Sequence, residues 1–194
     1  GHLYIDWERN DVLNLIRSQV ETSDREKSQQ LLILKQTYNS SGRYSDEDRA
    51  YVSYKRFELK ADLEYSLKHR PGSAIWAYPT AFFKWLLFDK IGLYATEPLR
   101  VLFSVSVIYT LFSLLYLMLP FVADTYIDTG GGSELADLDP IAKAFYYSAI
   151  TFLTIGYGEF YPIGIMRFFA SVEGYVGVFL MGYFSVAFVR KVLR

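Results

Sequence analysis

The sequence has 194 residues, with 20 Lys and Arg against 21 Asp and Glu, so its formal net charge of -1 offers no cationic excess for a nucleic-acid partner. The hydrophobic fraction of 52% is only slightly above that of a soluble protein, but apolar residues gather after Ser73 while charges crowd roughly the first seventy positions. Cysteine is absent, which excludes disulfides, thiolate metal sites and cysteine nucleophiles, and the two histidines, His2 and His69, belong to no catalytic or metal-ligating constellation. With no phosphate loop either, an enzyme is not expected and no cofactor is implied.

From Asp6 to His69 apolar residues recur at steps of three and four, as in Val12, Leu13, Ile16 and Val20, then Leu31, Leu32, Leu34 and Tyr38. That spacing predicts amphipathic helices, three at the simplest count, forming a soluble helical domain over residues 1–70. Breaks are expected at Thr22-Ser23-Asp24, where serine or aspartate can cap a helix, and at the turn-rich Asn39-Ser40-Ser41-Gly42. The stretch Gln29–Ala61 resembles one helical hairpin of the tetratricopeptide kind, with a more general helical bundle as the alternative. Nothing near the start of the sequence sets a basic flank before an apolar stretch, so membrane insertion is expected to rely on later segments.

Residues 71–97 change character. Ala74-Ile75-Trp76-Ala77-Tyr78 and Phe82-Phe83-Lys84-Trp85-Leu86-Leu87-Phe88-Asp89-Lys90 mix rings with charges. Pro79, Lys84, Asp89 and Lys90 interrupt the run too often for a spanning helix, whereas a helix lying in the interface can hold rings among lipid headgroups and charges in water. A core helix of the soluble domain is the other reading.

From Val101 to Ala123 the chain is almost wholly apolar, which at about 1.5 Å per residue is long enough to cross a hydrocarbon core of about 30 Å. A second span is expected from about Ile163 to Val192. Cations at Arg190, Lys191 and Arg194, with Lys90 and Arg100 ahead of the first span, place both ends of the chain on the cytoplasmic side of the plasma membrane.

Between the spans, Asp124, Asp128, Glu134 and Asp137 make an acidic external stretch that would concentrate cations. Asp139-Pro140 is a helix start, because proline at the first helical position gives up no needed bond. The helix it opens, Ile141–Phe152, is too short to cross a bilayer and must enter and stop partway. Thr154-Ile155-Gly156-Tyr157-Gly158 follows at once.

Over Pro98–Arg194 this order of span, short helix, filter-like loop and span resembles the pore domain of two-transmembrane potassium channels, whose filter is a closely similar threonine, valine, glycine, tyrosine, glycine loop. The resemblance implies an all-α membrane protein with a re-entrant pore helix, working as a homotetramer that passes potassium ions. Its physical logic is independent of the name. A dehydrated ion needs a cage of oxygens; one strand supplies one per layer, and four subunits complete a ring. The strand must alternate ordinary and left-handed conformations, which Gly156 and Gly158 permit without a Cβ clash. The resemblance further implies that the carbonyls of Thr154, Ile155, Gly156 and Tyr157 bind the ions, that the Thr154 hydroxyl closes the innermost site, and that Ile155 and Tyr157 brace the loop. The short helix would aim its C-terminal dipole at the central cavity.

Several residues around the loop carry expectations of their own. Where several members of the family have a buried glutamate, this chain has Ile150, so Glu159 lacks that carboxylate partner; Tyr146 and Tyr147 stand where paired aromatics brace the filter. Glu173 lies within the second span, where a carboxylate is costly, and is expected to bond behind the pore helix to Thr151 or a tyrosine hydroxyl. A solvated or neutral residue at the helix top is the bland reading. Gly177 aligns with the family's hinge glycine, Gly182 offers a second hinge, and Met181, Ser185 and Val189 recur every four residues as an inner gate. Ordinary lipid-facing packing would give the same pattern.

Retention of Tyr157 favours potassium over a nonselective cation pore. A membrane-anchored scaffold working through the N-terminal hairpin would not need the filter. The N-terminal helices are where an unidentified ligand or partner would act on the pore. Some bacterial channels resemble this half too, carrying pentapeptide repeats ahead of a charged linker like Tyr44–Tyr51; no such repeats occur here, which suggests a piece of a longer protein.

Overall fold

In the computed structural model the described residues are 5–69, 72, 74–129 and 138–193. The expected acids Glu134 and Asp137, and the cation Arg194, lie outside them. The fold is helical with almost no sheet, as an all-α membrane protein requires. It divides into two compact units, one built from the chain up to Glu97 with the segment from Arg190 onward, the other from Pro98–Val189.

In the first unit, α1 (Val12–Arg17) is followed by α2 (Asp24–Ser40) and α3 (Tyr44–His69). The boundaries follow local chemistry. Ser23 and Glu26 form a reciprocal capping box, the Glu26 N–H donating to Ser23 Oγ at 3.3 Å and the Ser23 N–H to the Glu26 carboxylate at 2.9 Å. After α2 the chain reverses through Gly42 at φ 69°, a left-handed position that glycine fills freely. The two long helices pack against each other, and Leu31, Tyr38, Ala50 and Phe57 close their core with Trp7, Val12 and Ile16. Val20 departs from the helical pattern: it falls beyond the end of α1 and is 95% exposed.

The charged stretch Tyr44–Tyr51 is not a solvated linker. Glu47 and Asp48 are buried in α3, and Arg190 meets Asp48 at 3.1 Å and lies 4.4 Å from the centre of the Tyr51 ring. Lys35 and Lys191 add ion pairs to Glu47 and Asp48 at 3.8 and 3.6 Å. Buried carboxylates persist there because cations reach them.

Helix α4 (Ala74–Lys84) runs into a π-helical stretch, Trp85–Lys90. No residue of α4 is buried, and Ile75, Trp76, Tyr78, Phe82 and Phe83 are all more than half exposed, so a core helix is excluded. Arg56 grips the buried Asp89 with two bonds of 2.9 and 2.7 Å, pinning the π turn to α3. Leu93, Tyr94 and Ala95 then take φ values of 46°, 56° and 61°, three consecutive left-handed residues at roughly 1–2 kcal/mol each.

In the second unit, α5 (Pro98–Met118) leads through a 3-10 turn to β1 (Ile127–Asp128); α6 (Pro140–Phe152), β2 (Tyr161–Pro162) and α7 (Met166–Val192) follow. The first span starts three residues earlier than its apolar run, at Pro98, because proline suits the first helical turn. The second starts later than Ile163 because Gly164, at φ 67°, breaks the chain before it. Only 17% and 22% of the most apolar windows of α5 and α7 are buried, unlike the core helix of a water-soluble protein. A small antiparallel pairing, Ile127 opposite Pro162 and Asp128 opposite Tyr161, ties the loop after α5 to the chain leaving the filter-like loop. Thr125 locks it further: its hydroxyl donates to the Ile163 carbonyl and accepts from the Met166 N–H. Tyr116, Ala144, Tyr147, Ile150, Phe160 and Met166 fill the core between these elements.

Candidate ion-conduction site

The site grows from the end of α6. Asp139 caps the helix by accepting from the Ile141 N–H at 3.2 Å, with Pro140 in the first turn, as the sequence predicts. At the other end the helix hands its last carbonyls to the loop. The Thr154 N–H reaches the Thr151 carbonyl at 3.0 Å, and the Ile150 carbonyl accepts from both Ile155 and Gly156, at 2.9 and 3.3 Å. These bonds occupy orphan acceptors of the helix terminus and fix where the loop begins.

From there the hand of the backbone alternates residue by residue. Thr154, Gly156 and Gly158 are left-handed, at φ 54°, 56° and 79°, while Ile155 and Tyr157 are not. The two glycines are as predicted. Thr154 is the unforeseen member, since a β-branched residue pays a steric penalty there. Such alternation can turn successive carbonyls to one side of a strand, where a row of oxygens can replace the water around a cation.

Ile155 and Tyr157, the expected braces, are 46% and 64% exposed, so one chain by itself does not pack them. The flank of the loop is better supported. Tyr146 donates from its hydroxyl to the Glu159 carboxylate at 3.2 Å and packs edge-on against Phe160, ring centres 5.4 Å apart. Glu159, without a partner at Ile150, thus finds a tyrosine on the same short helix. Tyr147 points the other way into the core, edge-on to Tyr116 at 5.0 Å.

Glu173 is completely buried, which overturns the solvated reading. Its carboxylate accepts from the Tyr116 hydroxyl at 2.6 Å and from the Ser148 hydroxyl at 2.5 Å. One side chain of α7 therefore bridges α5 and α6. The tyrosine partner fits expectation; the other partner is Ser148 rather than Thr151, one helical turn away on α6. Sequence alone singles out neither Ser148 nor which tyrosine bonds, although hydroxyls inside apolar helices need partners. Ser148 also lies 3.4 Å from the Tyr109 carbonyl, and the Tyr109 hydroxyl donates to the Phe145 carbonyl at 3.0 Å, a second tie between α5 and α6.

Along α7 the same stripe continues to Gly177. A Cβ there would overlap the Phe152 carbonyl and stand 2.9 Å from its carbon, so glycine allows α7 to lie against the end of α6. The helix runs unbroken through Gly177 and Gly182, and a Cβ at Gly182 would meet open space. Met181, Ser185 and Val189 share an exposed face beyond.

Residues 101–194 match a protein family described as ion channel. No curated protein and no solved structure matched the chain.

Proposed function

Because residues 101–194 belong to the ion-channel family, as a pore domain of the two-transmembrane potassium-channel type, we propose that the chain is one subunit of a homotetramer conducting potassium selectively across the plasma membrane. The observation that carries this reading is the loop Thr154–Gly158, alternating in hand and hung from the last carbonyls of α6. A potassium ion travels as cargo, handed between rings of Thr154, Ile155, Gly156 and Tyr157 carbonyls, four oxygens to a layer. The exposed Ile155 and Tyr157 side chains are packed by neighbouring subunits, and the α6 terminus directs its partial negative charge at the ion below the filter. Asp124 and Asp128 draw cations to the outer mouth. Both chain ends face the cytoplasm, with the terminal cations on that side.

Tyr146 and Glu159 support the outer end of the filter, and Glu173 supports its base through Ser148. Gly177, with Met181, Ser185 and Val189 below it, forms the inner gate, and α4 lies in the membrane interface. The test is flux through the purified protein in liposomes under opposing potassium and sodium gradients. Selective potassium flux, with a fourfold particle, is the expected result. Equal passage of sodium would place the protein among nonselective cation pores, and a monomeric or dimeric particle would defeat the ring of carbonyls altogether.

A further inference from the structure

The first unit holds a cavity of about 410 Å³ where α1, α3 and the π-helical stretch meet. Arg17 enters its wall from α1, Arg56 and Lys60 from α3, and Trp85, Asp89 and Lys90 from the π stretch. Four cations thus face one carboxylate. That carboxylate is already matched, because Asp89 is gripped through both oxygens by Arg56 at 2.7 and 2.9 Å. The charge of Arg17 and Lys60 is in excess of it. Lys60 sits 5.6 Å from the centre of the Phe57 ring and Lys90 sits 5.0 Å from that of Trp85, so the ammonium groups are held against rings at the rim.

A cavity of this size suits a small anionic group, and its cations with an aromatic edge suit one attached to an apolar body. The neighbouring helix α4 leaves Trp76, Phe82 and Phe83 uncovered, a surface fit for lipid. We propose that the cavity binds a phosphate-bearing anion, supplied either as the headgroup of an anionic phospholipid or as free phosphate. The proposal stands whether or not the pore selects potassium.

The test uses the full chain in detergent with Trp7→Phe and Trp76→Phe, so that Trp85 alone reports. Brominated phosphatidylglycerol should quench Trp85 saturably, and at lower lipid fraction than brominated phosphatidylcholine. Arg17→Gln with Lys60→Gln should weaken that preference by about thirtyfold, about fivefold for each charge near an anionic surface. Arg17→Lys with Lys60→Arg should retain it, which separates loss of charge from loss of fold. Inorganic phosphate distinguishes the sources: competition with the lipid, or binding to the wild type and not to the neutralised variant, assigns the site to soluble phosphate as well. Preference for phosphatidylglycerol without competition assigns it to lipid. Equal quenching by the two lipids with no phosphate binding overturns the proposal, and so does a preference that survives neutralisation.

Discussion

The bridge at Glu173 supports the most exacting prediction. Its two donors, Tyr116 and Ser148, are 1% and 0% exposed, so neither hydroxyl has water to turn to when the acceptor is removed. Glu173→Ala strands the Tyr116 hydroxyl at a cost of about 1–3 kcal/mol; Ser148 recovers part of its loss through the Tyr109 carbonyl at 3.4 Å. With the cavity left by the missing side chain, the total comes to about 3–5 kcal/mol. Glu173→Gln is milder, because an amide can accept from one hydroxyl and donate to the other. It gives up charge assistance on two bonds but also removes a carboxylate from a dry site, leaving a net loss of about 1 kcal/mol. Ser148 lies two residues before Ile150, whose carbonyl holds the Ile155 and Gly156 N–H groups, so loosening α6 should reach the loop Thr154–Gly158. Thermal unfolding of the purified protein at graded potassium concentrations measures the first effect, and the potassium-to-sodium flux ratio the second. Tyr116→Phe combined with Glu173→Gln completes a cycle whose coupling should exceed about 0.5 kcal/mol. Additive losses, or Glu173→Ala costing under about 1 kcal/mol with the flux ratio unchanged, would refute the bridge.

Gly177→Ala drives a Cβ into the Phe152 carbonyl and should destabilise the pore unit by about 1–3 kcal/mol, whereas Gly182→Ala meets open space and should be neutral or gain up to about 1 kcal/mol of helix propensity; paired melting curves compare them. Ser23→Ala removes one half of the capping box and should cost about 0.5–2 kcal/mol, read from loss of helical circular dichroism with temperature. Burial works against the Glu58 charge, but hydrogen bonds from Lys55 and Tyr54 outweigh it and hold the carboxyl below the ordinary value. The stability this contributes is full above the unfolded value of about 4.3 and fades as pH falls through the lower folded value, so Glu58→Gln should flatten the acid limb of a stability-against-pH profile and leave its neutral limb parallel to wild type.

Sequence by itself determined whatever depends on neighbours along the chain. Ser23 and Gly42 bound α2, Asp139-Pro140 starts α6, and Gly156 and Gly158 take the hand that only glycine takes easily; each is a local steric or capping preference. The length of the two apolar runs likewise sets what they can cross. Tertiary structure decided what depends on distant partners. Glu173 finds Tyr116 across 57 positions and Ser148 across 25, and no periodicity encodes which hydroxyl will stand opposite. Thr154 is left-handed because Thr151 and Ile150 bind the backbone on either side of it, against its own preference. Glu47 and Asp48, charged residues in a charged stretch, are buried because Arg190 reaches them from the far end of the chain. A buried polar group is stable only where its counterpart arrives, and that meeting is a property of the fold.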